Sequence, residues 1–417
     1  MERAANLGGD GGDAGQSVTA AGVGVTLEVK AWRRRRGMAK LLEALGADDG
    51  LTRYVGGAVR DQLLKLPVND IDLATRLRPE EVVERLQGAG IKAVPTGIEH
   101  GTITAVSDGH PVEITTLRRD VSTDGRRATV AFTDDWSEDA ARRDFTINAL
   151  MADPLTGELF DYFDGLADIE KRLVRFIGDP LQRIAEDHLR ILRFFRFYAR
   201  FGGGEPDAAA LQACTERAND LMALSRERIA DELLKLLAVA DPSPTVELMI
   251  ARQILRPVLP EIEAAMVASL RKLVGAEAES GVPGEPLRRL SALLPAEPSL
   301  VERLAARLKL SNRARKRLAC AASRDANGQP QALAYRAGTE CAVDRLLLAG
   351  RPVDAAAIAG WAPPKLPVSG GTLIARGVSQ GPEVARTLKR IEDRWVAAGF
   401  PAGEAFEALV ADCVAGN

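Results

Sequence analysis

The stretch RYVGGAVRDQLLKLPVNDIDLAT, residues 53–75, compresses a strand, a turn, a helix and a second strand into one short unit. An apolar lead, Tyr54 and Val55, runs into Gly56 and Gly57. Glycine at a strand end lets backbone N–H groups approach a ligand closely and point at it. Ala58 to Leu66 predicts a helix with Val59, Leu63, Leu64 and Leu66 on its apolar face and Arg60 beside the turn. Pro67 and Asn69 break it. Asp70 and Asp72 follow within the alternation of Ile71 and Leu73. Residues i and i+2 of a strand face the same way, so the two carboxylates are expected to project together. Like charges held that close are costly unless a cation lies between them. A hard cation such as Mg²⁺, bound by a carboxylate or two and by substrate phosphates, meets that need.

Met singly, Gly-Gly is usually a turn and Asp-x-Asp a solvated turn or helix cap. Joined with an arginine in one strand–turn–helix–strand unit they are far more specific. The unit resembles the signature of the nucleotidyltransferase superfamily related to DNA polymerase β. Within it, the resemblance is to the branch of tRNA CCA-adding enzymes and bacterial poly(A) polymerases, which reads GG-x-VRD followed by D-x-D. Every letter is present. The resemblance implies an α+β fold: a polymerase-β-like nucleotidyltransferase head with a small mixed sheet, then an all-α neck, body and tail. The expected divisions are a disordered tail at 1–26, the catalytic head at 27–178 and a helical neck at 179–240 carrying the base-binding helix. An all-α, tRNA-binding body and tail would fill 241–417.

Composition bounds the rest. A chain of 417 residues has room for two or more domains, and its net charge of −3 does not advertise nucleic-acid binding, so any RNA contact must come from local patches. No apolar run approaches the length of a membrane span. Cys214, Cys320, Cys341 and Cys413 are scattered without CxxC spacing, which predicts neither a zinc site nor a disulfide framework and suits a reducing cytoplasm. Only three histidines occur, His100, His110 and His188, which excludes a histidine-rich metal centre.

Leu27 to Leu45 reads as broadly helical, with Arg33 to Arg36 expected on a solvated face. Pro79 to Gly88 predicts a helix with Glu80 and Glu81 in its first turn. Strands are expected at Thr102–Val106 and Val112–Leu117, around a turn at Asp108–Gly109. Glu113 lies in the second run. It is either an exposed strand residue or, if that strand lies beside Asp72, a third carboxylate at the metal site. Arg118 to Asp139 reads as a mobile, charge-dense loop. After it, RRDFTINAL (142–150) offers Arg143, Asp144 and Asn148. Arginines bind phosphate in bidentate fashion, which suits a triphosphate and ribose site. The nonapeptide resembles the second signature of the same family, and 161–175 resembles its connecting segment.

Leu181 to Gly202 predicts one long, largely buried helix, along which Arg190, Arg193 and Arg196 step at three-residue intervals. Buried arginines need partners. These are either ion pairs with Glu186 and Asp187, or a nucleotide pocket, and Asp187 with Arg190 resembles the family's EDxxR element. From Ala208 onward the chain is Leu- and Ala-rich with helical periodicity, with loops expected at 275–286 and 362–371. Arg303 to Arg317 reads as a basic helical pair turning at Ser311-Asn312, and Arg313, Arg315 and Arg317 are its candidate RNA contacts.

The resemblance implies metal-dependent nucleotidyl transfer, with CTP and ATP as substrates and the tRNA 3′ end as acceptor, and no obligate protein partner. Asp70, Asp72 and Glu113 would be catalytic, the first two as metal ligands. Gly57, Arg60, Arg143, Asp144, Asn148, Asp187, Arg190, Arg193 and Arg196 would bind the nucleotide. Three alternatives stay open: a poly(A) polymerase, an enzyme adding only C's or only the final A, and a non-catalytic tRNA-binding protein.

Overall fold

A computed structural model describes residues 24–124 and 127–415. The chain divides into two compact units, Met1–Asp187 with Phe201–Ala213, and His188–Arg200 with Cys214–Asn417. The expected tail lies almost wholly outside the described residues; from Thr26, which bridges to Glu158, the chain is already tied to the first unit.

The first unit runs α1 (Lys30–Arg33), α2 (Met38–Ala44), β1 (Thr52–Val55), α3 (Gly57–Leu63), β2 (Asp72–Thr75), α4 (Pro79–Gly88) and β3 (Lys92–Gly97). It continues with β4 (Thr102–Ser107), β5 (His110–Thr116), β6 (Arg118–Asp124), β7 (Arg127–Phe132) and α5 (Trp136–Ala141). Then come β8 (Met151–Ala152), β9 (Leu159–Phe160), α6 (Gly165–Glu170) and α7 (Pro180–Glu186). Seven strands form one sheet in the order β3-β4-β5-β2-β1-β8-β9. It is mixed: β2 and β5 pair in parallel, and the other neighbours are antiparallel. The alternation of the strands loads both faces. Tyr54 and Leu73 enter a core with Trp32, Leu41, Val59, Val82 and Leu86 from α1 to α4. Their neighbours Val55 and Ala74 enter a second core with Leu117, Trp136, Ala140 and Met151.

Three expectations change here. Residues 27–45 form two short helices with a turn between them, pinned because Arg35 N donates to Trp32 O and Met38 N donates to Arg35 O, each at 3.0 Å. Residues 118–139 are not a loop: β6 and β7 pair antiparallel and α5 follows, capped by the Asp135 carboxylate accepting from Ser137 N. The strand residues alternate too weakly in polarity to advertise pairing, since β6 reads RRDVSTD. The predicted long helix at 181–202 is two, α7 and α8 (Arg190–Phe201), because Asp187 is extended at φ −152°, ψ 107°. Aspartate competes poorly for helix interiors, and the apolar periodicity on either side masked the break.

The second unit is helical, beginning with all but the last residue of α8. Its helix Ala264–Ser280 extends into the predicted 275–286 loop. Cys320 and Cys341 form a disulfide, contrary to the reading from spacing. They lie on helices Asn312–Ala322 and Thr339–Leu348, which pack together, so proximity came from tertiary contact and not from a local motif. Cys214 and Cys413 are free and buried. No described helix is long and apolar enough to cross a membrane.

Candidate active site

At the end of β1 the chain turns at Gly56, with φ 67° and ψ −126°, backbone angles that side-chain-bearing residues rarely adopt. A Cβ built there would lie 2.9 Å from Nη1 of Arg143. Gly57 then opens α3, where the first N–H groups have no partner inside the helix. A Cβ on Gly57 would meet only Arg60 Nη2, at 3.6 Å, so its surroundings would accept a methyl group.

Val55 pairs with Asp72, and Asp72 pairs with Glu113 across the parallel β2–β5 contact. Alternation puts both carboxylates on the face of Val55 and Ala74. Asp72 is half-buried and Glu113 exposed. Burial pushes the Asp72 carboxyl up to about 6, Glu113 and Asp70 push the same way, and Arg143 opposes them. That is the electrostatic profile of a site that favours a cation. Asp70 corrects the strand picture: β2 begins at Asp72, and Asp70 stands exposed in the segment leading into it. Among the described residues, no three His, Cys, Asp or Glu side chains gather into a ready metal cage. A two-carboxylate site completed by substrate phosphates does not require one.

Arg143 follows α5 and is fixed from three sides. Its Nη2 donates to Asp139 Oδ2 at 3.2 Å, its Nη1 to the Asn148 carbonyl at 3.3 Å, and its own carbonyl accepts from Arg183. Asp139, 1% exposed, also accepts from Arg142 Nε at 2.8 Å and from the Arg118 backbone at 3.3 Å. Burial works to raise the Asp139 carboxyl, but Arg142 and Arg143 outweigh it and hold it below the usual range. Sequence reasoning missed Asp139. The available signal was its spacing, three and four residues ahead of two arginines on a helix.

Arg60 is buried, with its guanidinium committed to Asp61 at 2.6 Å, to Asn148 Oδ1 and to the Phe201 ring face at 4.1 Å. Asn148 in turn donates to Asp144 Oδ1 at 2.8 Å, and Asp144 also accepts from Phe145 N. Three of the residues predicted to touch nucleotide, Arg60, Asn148 and Asp144, are therefore linked in one chain of bonds.

Asp187 ends α7 in the first unit, and Arg190 begins α8 in the second. Arg193 and Arg196 reach Glu232, at 3.8 and 2.6 Å, on the helix Arg226–Leu237. Glu232, more than forty residues along the chain from Glu186 and Asp187, is therefore a carboxylate partner of both arginines. The predicted RNA-contact arginines also divide. Arg313 is largely exposed and pairs with Glu340, and Arg315 with Glu302. Arg317 differs from both: only 13% of its side chain is exposed, and it is bound by Asp344, Glu285 and Glu340. It holds the helices of the second unit together, because its partner Asp344 is itself buried.

Comparison with known proteins bears on the whole arrangement. Residues 52–175 match the family described as Poly A polymerase head domain, and residues 205–266 the family described as "Probable RNA and SrmB- binding site of polymerase A". The CCA tRNA nucleotidyltransferase 1, mitochondrial, of Homo sapiens is 36% identical over 383 residues, 87% of each chain. The CCA-adding enzyme of Streptococcus gordonii is 42% identical over 47% of this chain and 48% of its own. Among solved structures, the Bacillus stearothermophilus CCA-adding enzyme in complex with CTP superposes with a TM-score of 0.71 at 26% identity, covering 90% of this chain and 97% of that one. The likeness spans both the mixed-sheet unit and the helical one, and the chain belongs to the CCA tRNA nucleotidyltransferase family.

Proposed function

We propose that this protein adds C, C and A to the 3′ end of tRNA from CTP and ATP without a nucleic-acid template. One observation carries the assignment of the site: the parallel β2–β5 pairing that sets Asp72 against Glu113 beside the Gly56 turn, where Arg143 stands. Asp70 and Asp72 would hold Mg²⁺, with Glu113 beside them. The donor set fits, since hard carboxylate oxygens crowd at a half-buried position whose ionised form is unstable alone. When bound, the metal supplies charge neutralisation at the reacting phosphate and activation of the RNA 3′-hydroxyl.

The chain's own groups do the positioning on which phosphoryl transfer depends. Gly57 N–H and the Arg143 guanidinium hold the triphosphate, and Asp139 keeps Arg143 aimed. Arg60, Asn148 and Asp144 keep the glycine turn rigid. Base choice follows from hydrogen-bond edges. Cytosine and adenine both present an amino donor beside a ring-nitrogen acceptor. Asp187 would accept from the first and Arg190 donate to the second, whereas uracil and guanine reverse the pattern. Arg313 and Arg315 remain candidate phosphate contacts for the tRNA backbone.

Purified protein should be incubated with tRNAs ending before CCA, after C and after CC, with CTP, ATP or both. Completion of all three ends supports the reading. Runs of A on any RNA would identify a poly(A) polymerase, arrest at CC a partial enzyme, and absence of metal-dependent incorporation a binding protein.

A further inference from the structure

The run of arginines at 33–36 looks like a solvated face in the sequence, yet one of the four is directed at the site. Arg35 Nη2 donates to the Val68 carbonyl at 2.7 Å and its Nη1 to the Asn69 carbonyl at 3.1 Å. These are consecutive carbonyls, immediately before Asp70. The planar guanidinium fork suits such a pair, because both donors are fixed in one plane. Its neighbours go elsewhere: Arg33 reaches the Leu155 carbonyl at 3.4 Å, and Arg36 lies 4.0 Å from Asp108.

The anchor behind Arg35 is rigid. Trp32 is buried and packs edge-on against Tyr54 of β1, with centroids 4.9 Å apart. The Arg35 backbone is bonded on both sides, to Trp32 O and from Met38 N. The segment it grips is not. Residues 67–70 lie outside helix and strand, and among the described residues their hydrogen bonds are those from Arg35. Val68 packs only partly against the core. Asp72 is fixed by the sheet, whereas Asp70 depends on this clamp for its place.

We infer that Arg35 is a positioning residue for Asp70, holding the 67–70 segment so that both carboxylates can share a cation. The inference rests on the reading of Asp70 as a metal-holding carboxylate.

The test uses the full-length protein with R35Q, R35K and D70N. Hydrogen exchange of the metal-free protein is one readout. In R35Q, the hydrogen-bonded amides that lead into the segment, Leu64 to Leu66, should exchange about tenfold faster while those of β1 stay unchanged, a local opening and not global unfolding. Nucleotide addition at saturating CTP and tRNA is the second. The Mg²⁺ concentration for half-maximal rate should rise several-fold and kcat fall about tenfold, the worth of one charge-assisted bond in positioning. KM for tRNA should not move. R35K, which can reach one carbonyl, should lie between R35Q and the wild type. Unchanged exchange at 64–66, or a loss of rate with unaltered Mg²⁺ dependence, overturns the inference. D70N separates the two levels: full activity there removes the metal assignment itself, whereas an inactive D70N beside a normal R35Q removes only the clamp.

Discussion

Gly56→Ala tests the core of the site, because two independent penalties meet at one atom. The first is backbone strain. At φ 67° and ψ −126° an alanine is held outside its allowed regions, at a cost of about 1–3 kcal/mol. The second is displacement. The new Cβ would lie 2.9 Å from Arg143 Nη1, closer than carbon and nitrogen tolerate, so the guanidinium must move. It cannot move freely, since Asp139 and the Asn148 carbonyl hold it at 3.2 and 3.3 Å. A displaced Arg143 forfeits one charge-assisted contact to phosphate, about 1.5–3 kcal/mol or roughly 10–100-fold in kcat/KM. The loss should be equal for CTP and ATP, because the triphosphate is common to both. Gly57→Ala is the matched control. Its φ is ordinary and its Cβ meets nothing closer than 3.6 Å, so the fold should keep its stability within about 0.5 kcal/mol. If its N–H does approach the triphosphate, activity should still fall. Denaturant unfolding and steady-state incorporation of each nucleotide provide both measurements. A Gly56→Ala protein with kcat/KM within twofold of wild type would refute the placement of Arg143 over the phosphates.

Asp72→Asn should abolish addition yet stabilise the metal-free protein above pH 6. A carboxyl raised to about 6 contributes stability below its unfolded value near 3.8 and loses it as pH climbs through 6; the shift corresponds to about 3 kcal/mol, or about 1–2 once partial solvation is allowed for. Unfolding at pH 4 and 8 in chelator should show that gap opening with pH, and Mg²⁺ should narrow it by binding the wild type alone; a less stable variant at pH 8 would defeat the crowding argument. Asp187→Ala and Arg190→Ala should erode discrimination against UTP and GTP by about 1–3 kcal/mol, read from all four triphosphates on tRNA lacking CCA; unchanged ratios would move base reading elsewhere. Arg317→Ala should cost about 1.5–3 kcal/mol in unfolding, because the buried Asp344 loses its closest cation and keeps only Arg288 at 3.6 Å, while the salt slope of tRNA binding stays unchanged. A reduced slope at normal stability would return Arg317 to the RNA surface.

What the sequence determined by itself is local chemistry. Glycines at a strand end, a D-x-D run and an arginine-rich turn need only their own spacing to be legible, and so do the helix at Pro79–Gly88 and the strand pair joined at Asp108–Gly109. These features depend on backbone freedom, capping and period, which act over a few residues. Partnership across distance was not legible, because a charged side chain does not carry the address of its counter-ion. The spacing around Arg60 gave no sign of its bond to Asn148, 88 residues away. Nor did the basic run show that Arg317, unlike Arg313, is engaged by the buried Asp344. The disulfide joins positions that only helix packing brings together. That Glu113 stands beside Asp72 was not legible either, because it follows from the parallel register of two strands far apart in sequence. Arg35, one of four identical neighbours, is distinguished only by the carbonyls within reach of its fork. The catalytic alphabet is written in short range; which letters touch is decided by the register of the sheet and the packing of helices on its two faces.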